Sequence, residues 1–266
     1  MDKITVRSLF KKKREGKRIT MISTYDYLSA KLCEQVGIDC ILVGDSLGMV
    51  FQGLESTLPV TLEEMIYHTK AVRRGAKDSF LIVDMPFLSY QITLEEALRN
   101  CGKVIKETGA NAVKIEGGEE VAELVLRLVR MGIPVVGHIG FTPQSLNVLG
   151  GYRVVGRSEE EAKRARRDFK ALEEAGAFMV VLESIPKDLS KEITQEAKAI
   201  TIGIGAGPHC DGQVLVFYDL VGLVEDIKPK FVKRYIEGAE LFRKALKAFQ
   251  EEVEKGLFPS EEESYG

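Results

Sequence analysis

Five polar residues recur at one kind of place in this chain: Asp45, Asp84, Glu116, His138 and Glu183. Each stands at or just past the end of a short apolar run. The runs are Ile41-Leu42-Val43, Phe80-Leu81-Ile82-Val83, Ala112-Val113-Lys114-Ile115, Pro134-Val135-Val136 and Met179-Val180-Val181-Leu182. Runs of that length, aliphatic on successive positions, are what strands buried on both faces of a parallel sheet look like. In a barrel of alternating strands and helices, the carboxyl ends of the strands carry the chemistry. Four carboxylates gathered there with an imidazole would repel one another unless a cation sat among them. The pattern reads as a metal-dependent enzyme.

Each position also has a plainer reading. Gly44-Asp45-Ser46 could hold a hard cation and an oxyanion, or could be an Asx-turn closing a strand. Asp84, before Met85-Pro86-Phe87, could likewise form a turn. Lys114 and Glu116 share one strand face, opposite Ile115, because side chains alternate. A lysine inside a buried strand calls for a carboxylate or an anionic substrate. His138 lies at a strand end, in Gly137-His138-Ile139-Gly140-Phe141-Thr142; a satisfied buried histidine is the alternative. Glu183 closes an apolar strand. A buried carboxylate has a raised pKa, which suits a general base, and an ion pair to a nearby Arg or Lys is the alternative. His68 falls on a packed helix face, and His209 is undecided. Gly203-Ile204-Gly205-Ala206-Gly207-Pro208 does not fit G-x-G-x-x-G, because position 208 is Pro. It reads as a barrel phosphate loop or as backbone room for a ligand.

Positioning these groups takes an α/β chain. Strands are expected over 19–24, 39–44, 79–84, 111–115, 134–138, 177–183, 200–204 and 214–217. Helices are expected over 5–14, 26–36, 61–76, 93–108, 119–131, 158–175, 187–199 and, longer, about 229–255. Thr61 with Glu64 and Thr93 with Glu96 have capping-box spacing. The loops 45–60 and 139–157 are long and glycine-bearing, which suits lids or pocket walls. A length of 266 residues suits one (β/α)8 TIM barrel, a single domain over 1–266 with a short leading helix and a long last one.

Composition narrows the class. The chain is 45% hydrophobic, enough for a sizeable core, and its net charge of −3 argues against a nucleic-acid partner. The run Lys11-Lys12-Lys13-Arg14 reads as a solvated helix face. The four cysteines, Cys33, Cys40, Cys101 and Cys210, form no C-x-x-C pair and have no histidine at zinc spacing. They read as small buried hydrophobes. Unpaired cysteines and a polar amino terminus point to the cytoplasm. No apolar run approaches the roughly 20 residues that span a membrane.

The ordered motifs resemble those of the ketopantoate hydroxymethyltransferase family over about residues 3–258. They are Thr24-Tyr25-Asp26, Val43-Gly44-Asp45-Ser46-Leu47-Gly48, Asp84-Met85-Pro86-Phe87, Val113-Lys114-Ile115-Glu116-Gly117-Gly118, Gly137-His138-Ile139-Gly140-Phe141-Thr142-Pro143-Gln144, Leu182-Glu183 and Ile202-Gly203-Ile204-Gly205-Ala206-Gly207. The resemblance implies a barrel of the phosphoenolpyruvate/pyruvate type. It implies transfer of a one-carbon unit from 5,10-methylenetetrahydrofolate to 3-methyl-2-oxobutanoate, giving 2-dehydropantoate for pantothenate synthesis, by way of an enolate that Mg²⁺ stabilises. By the same resemblance Asp45, Asp84 and Glu116 hold one Mg²⁺ per subunit, Glu116 directly or through water. Asp45, Ser46, Asp84, Lys114 and His138 line the oxo acid, and Glu183 is the base. His138 orients the substrate or tunes Glu183. Family members are typically cytoplasmic decamers of two stacked pentamers, with no nucleic-acid or membrane partner.

Two other readings compete. A Mg²⁺-dependent 2-oxo-acid lyase of the isocitrate lyase type would carry a Lys-Lys-Cys-Gly-His run, and none occurs here. A barrel that only binds a ligand or builds an assembly would lack the rim carboxylates, and all are present. Oxygen ligands suit Mg²⁺, Mn²⁺ and Co²⁺ alike. No spacing marks the folate site, for which the two long loops are the candidates.

Overall fold

The computed structural model describes residues 3–226 and 229–266. Residues 1, 2, 227 and 228, part of the domain expected over 1–266, lie outside the described residues. The chain forms two compact units, Met1–Val216 and Phe217–Gly266. No break in composition marks that boundary.

The first unit is a closed barrel of eight parallel strands in sequence order. The strands are β1 Ile19–Ser23, β2 Cys40–Val43, β3 Phe80–Asp84, β4 Ala112–Glu116, β5 Val135–Gly140, β6 Met179–Glu183, β7 Ile200–Ile204 and β8 Gly212–Val216. β8 closes onto β1 from Ile19↔Gly212 to Ser23↔Val216. The expected (β/α)8 architecture is what the chain builds. The apolar pattern places the eighth strand over 214–217, yet it starts earlier, at Gly212; a glycine adds nothing to such a pattern, so the sequence hides this end.

Helices of this unit are α1 Val6–Arg14, α2 Tyr27–Gln35, α3 Leu47–Val50, α4 Leu62–Gly75, α5 Leu94–Thr108, α6 Ala122–Arg130, α7 Leu146–Leu149, α8 Glu159–Glu174 and α9 Lys187–Glu196. Their starts follow local chemistry. Asp26 caps α2 by accepting from the amides of Leu28 and Ser29. Thr61 and Glu64 cap α4 reciprocally, as their spacing predicts. Thr93 caps α5 one way only, by accepting from the Glu96 amide. The helix expected over 187–199 stops at Glu196. Beyond it the amides of Lys198 and Ala199 turn to Glu173 Oε1, at 2.6 and 2.7 Å, and the chain enters β7. The short α3 and α7, inside the two long loops, add to the expected set.

The core fixes the site. Leu42, Ile82, Ala112, Val136, Val181 and Ile202 pack in one cluster with Leu9 of α1. Full burial of Leu9 stabilises by about 1.5–3 kcal/mol. α1 also corrects an expectation. Its basic run is a solvated face only at Lys11 and Arg14: Lys12 pairs with Asp39 at 2.5 Å and Lys13 with Asp211 at 2.8 Å. Aspartates just before β2 and β8 reach that helix, which sequence spacing alone does not reveal. Along each strand the side chains alternate. Two residues on from a core position therefore point inward again. Asp84 follows Ile82, Lys114 and Glu116 follow Ala112, His138 follows Val136, and Glu183 follows Val181.

The second unit holds α10 Phe217–Leu220 and α11 Gly238–Glu254, then a single 3₁₀ turn, Glu261–Glu263. The last helix, expected from about 229, starts at Gly238. Before it, the Val232 amide closes a turn onto the Pro229 carbonyl. Arg243 grips Glu225 with two hydrogen bonds, at 2.5 and 3.0 Å.

Candidate active site

The inward residues of β3 to β6 meet in one continuous chain of contacts. Asp84 and Lys114 are register partners on β3 and β4. Lys114 Nζ lies 2.5 Å from Asp84 Oδ1 and 3.9 Å from Glu116 Oε1. Glu116 and His138 are register partners on β4 and β5. His138 Nδ1 stands 3.4 Å from Glu116 Oε1, and its Nε2 stands 3.2 Å from Glu183 Oε2. These imidazole contacts are close charge pairs without hydrogen-bond alignment. Asp45 joins from the loop after β2, where its amide donates to Asp84 Oδ2 at 3.3 Å.

Burial sorts the members. The side chains of Asp84, Lys114, Glu116 and His138 are at most 4% exposed, whereas Glu183 keeps 16%. Glu183 is thus not the fully buried carboxylate expected from its strand. It is the most exposed member of the chain.

Electrostatics follow from this packing. Burial drives the Asp45 carboxyl well above its ordinary range, and the charges of Asp84 and Glu116 push it further. Burial also raises Asp84, although Lys114 pulls the other way. Glu116 is lowered, because His138 and Lys114 outweigh the cost of burying it. Burial opposes charge on Lys114, yet Asp84, Glu116 and Asp45 outweigh it and raise the ammonium. Burial and Lys114 oppose charge on His138; Glu116 and Glu183 prevail and push it up to about 9. That direction favours the charged imidazole, and neither ring nitrogen has a hydrogen-bond partner among the described residues.

Ser46 follows Asp45 and shares a hydrogen bond of 2.7 Å with the Tyr25 hydroxyl. A methyl group placed on Gly44 would lie 2.9 Å from Ser46 Oγ, 3.0 Å from Ser23 Oγ and 3.5 Å from Asp84 Oδ2, so these oxygens flank one point. All the residues singled out in the sequence at the strand ends therefore gather here. His68 does not: its Nδ1 donates to the Tyr25 carbonyl at 2.7 Å. The His209 carbonyl accepts from Arg18 at 3.5 Å. In the same loop a Cβ added at Gly207 would lie 2.6 Å from Lys187 Cβ, so that glycine admits the start of α9.

Residue-type reasoning missed several neutral neighbours. Gln144 donates to Asp45 Oδ2 and to the Met85 carbonyl, each at 2.9 Å, and its amide donates to Glu116 Oε2 at 3.0 Å. The Tyr90 hydroxyl donates to Gln144 Oε1 at 2.8 Å and contacts the Glu116 carbonyl oxygen at 3.1 Å. Ser23 Oγ is buried with no hydrogen-bond partner among the described residues. Amides and hydroxyls occur everywhere in a sequence, so only the motif runs holding Tyr25 and Gln144 could have signalled them.

The donor set fits a hard divalent cation. Asp45 and Asp84 offer oxygens whose ionisation burial opposes, and Glu116 Oε1 is buried with no hydrogen-bond partner among the described residues. A positive ion would relieve both. Among the described residues no group of three or more His, Cys, Asp or Glu side chains is itself arranged to hold a metal ion. Two carboxylates, with water and substrate completing the shell, suit Mg²⁺, which sheds its water reluctantly. A cavity of about 270 Å³ opens elsewhere, between α1 and Asp39. Its Lys12 is paired with Asp39 and its Lys17 with Glu15.

Comparisons with known proteins show the family. A family model for ketopantoate hydroxymethyltransferase matches residues 3–261. The chain is 67% identical over 263 residues to the 3-methyl-2-oxobutanoate hydroxymethyltransferase of Aquifex aeolicus, covering 99% of each chain. It is 56% identical over 251 residues to the enzyme of that name from Thermus thermophilus, covering 94% of this chain and 96% of the relative. Among solved structures, phosphonopyruvate hydrolase in complex with oxalate and Mg²⁺ superposes with a TM-score of 0.63 at 14% identity, over 99% of this chain and 92% of that one. A 2,3-dimethylmalate lyase of the PEP mutase/isocitrate lyase superfamily gives 0.57 at 18% identity, over 98% and 91%. These two likenesses show the fold, a barrel of eight parallel strands with helices. The chain belongs to the ketopantoate hydroxymethyltransferase family of enzymes.

Proposed function

We propose that this enzyme moves a one-carbon unit from 5,10-methylenetetrahydrofolate to C3 of 3-methyl-2-oxobutanoate, forming 2-dehydropantoate for pantothenate synthesis. One observation carries the reading. Glu183, the exposed end of the contact chain, faces a charged His138, while the buried end pairs Lys114 with acidic oxygens. A carboxylate that keeps some exposure thus stands in one cluster with an ammonium able to meet an oxo acid.

Asp45 and Asp84 would hold Mg²⁺, with Glu116 contributing through water. The bound ion polarises the 2-oxo group and so makes the C3 proton more acidic. Ser46 and Lys114 grip the oxo acid, and His138 lines its site. Glu183 Oε2 takes the C3 proton. The Lys114 ammonium meets the negative charge that develops on the substrate oxygen. Water adds to the donor's methylene carbon, both carbon–nitrogen bonds break with a proton passing to each nitrogen, and tetrahydrofolate leaves as that carbon is freed as formaldehyde. C3 then bonds to the formaldehyde carbon as its C=O π bond opens, and the oxygen takes the proton held by Glu183 to become the hydroxyl. His138, held as an imidazolium between two carboxylates, orients Glu183 toward C3.

The assembly and setting belong to the same reading. The exposed apolar residues Phe242, Leu246, Phe249 and Val253 of α11 support a homo-oligomer, the decamer of the resemblance. The four free, buried cysteines support a cytoplasmic setting. Among the described residues no helix is long and apolar enough to cross a membrane.

The test is product formation. Purified protein, Mg²⁺, 5,10-methylenetetrahydrofolate and 3-methyl-2-oxobutanoate should give 2-dehydropantoate, seen as a new hydroxymethyl signal by NMR, and a chelator should stop it. Cleavage of the oxo acid without that signal would replace this reading with a lyase.

A further inference from the structure

We infer that Gln144, locked by Tyr90, is a positioning residue that aims one free oxygen of Asp45 and one of Glu116 at the cation. The inference rests on the metal role proposed above for those carboxylates. Gln144 lies in the 3₁₀ turn Pro143–Ser145 that follows β5, and it is buried. It touches two acidic groups at once. Its backbone N–H occupies Glu116 Oε2, and its side-chain Nε2 occupies Asp45 Oδ2. Each carboxylate is left with its other oxygen to give. For Glu116 that oxygen, Oε1, is buried with no hydrogen-bond partner among the described residues, although His138 Nδ1 and Lys114 Nζ stand 3.4 and 3.9 Å away. A buried acceptor that receives charge but no hydrogen bond keeps a free-energy cost that a water or a bound cation would relieve.

The amide can perform this task in one orientation only, and its surroundings choose that orientation. Nε2 faces two acceptors, Asp45 Oδ2 and the Met85 carbonyl. Oε1 faces two donors, the Tyr90 hydroxyl at 2.8 Å and Gln91 Nε2 at 3.0 Å. Rotating the amide by half a turn would set oxygen against oxygen on one side and nitrogen against nitrogen on the other. Tyr90 therefore acts on the site through Gln144. Partners of this kind, which hold a metal ligand without touching the metal, typically change affinity by about 10–100-fold when removed.

A purely structural tie between the 139–157 loop and the barrel is the competing role. It would lower stability and leave metal affinity alone. The experiment titrates Mn²⁺ into the metal-stripped full chain and counts free ion by electron paramagnetic resonance. It uses the parent, Gln144→Met, which keeps size and removes the amide, and Tyr90→Phe, which keeps the amide and removes its lock. Melting without metal reports the fold in parallel. The expected result is a Kd for Mn²⁺ raised roughly 10–100-fold in Gln144→Met and by a smaller factor in Tyr90→Phe. Tyr90→Phe carries the test if Gln144→Met does not fold. Affinity within twofold of the parent in the folded variants overturns the inference and leaves the proposed activity standing. Absence of Mn²⁺ binding by the parent overturns the inference and the metal role together, while the product assay reports the activity separately.

Discussion

Lys114 and Asp84 face each other in register on neighbouring strands, and their side chains close to 2.5 Å with 4% of each exposed. So buried a pair is held together by attraction in a weakly screening interior, against a large cost of removing both charges from water. The pair does more than tie β3 to β4. Lys114 is the positive charge that lets Asp84, Asp45 and Glu116 crowd together before any metal arrives.

Removing one partner exposes that dependence. Lys114→Met should lower stability by roughly 3–5 kcal/mol, because it leaves uncompensated buried carboxylates. It should also abolish turnover. Urea unfolding of the metal-free protein checks the first part. A loss under about 1 kcal/mol, the worth of an exposed pair, would show that water screens the site far more than its burial implies.

Asp45 predicts the opposite sign for stability. Its folded pKa lies above the unfolded value near 3.9. Below that value both states hold the proton and the residue costs nothing. As pH rises the unfolded chain releases its proton first, so stability falls through the window between the two pKa values. It stays lowered at neutral pH. Asn at this position keeps an acceptor for Gln144 and carries no charge. Metal-free Asp45→Asn should therefore be more stable at pH 7 by on the order of 1 kcal/mol, a rise in melting temperature of roughly 2–4 °C. The gain should vanish toward pH 4, and activity should be lost. A lower melting temperature at pH 7 would contradict the account.

Gly140 holds the base from behind. It is the register partner of Glu183 and has φ +95. A methyl group there would lie 2.2 Å from the Glu183 carbonyl oxygen and 2.7 Å from Ile185 Cγ2. Gly140→Ala should cost about 2 kcal/mol or more, from the backbone strain plus the clash. Displacing Glu183 by a fraction of an ångström should lower kcat by roughly 100-fold. Melting and turnover measured on one preparation check both. Unchanged turnover would show that the position of Glu183 is not critical.

The sequence made the barrel legible because parallel strands buried on both faces read as unbroken apolar runs. It made Asp84, Glu116, His138 and Glu183 legible because each ends such a run with a group that cannot be there for packing. It hid what depends on contacts between distant segments. Asp39 and Asp211 precede strands and gave no sign that they hold Lys12 and Lys13. Gln144 is an ordinary amide until its turn folds over Asp45. The start of α11 was misplaced because Lys230 to Glu237 carries helix-forming residues, and the turn at Pro229–Val232 overrides that propensity.

The central claim is that Glu183 removes the C3 proton of a metal-bound oxo acid. The most direct measurement is proton NMR of 3-methyl-2-oxobutanoate in D₂O with the protein and Mg²⁺, with and without tetrahydrofolate. The account predicts that the C3 proton signal fades with the parent protein. It predicts no fading after metal removal, and none with Glu183→Gln, which should still bind the oxo acid. Exchange at the parent rate in Glu183→Gln would contradict it and move the base elsewhere.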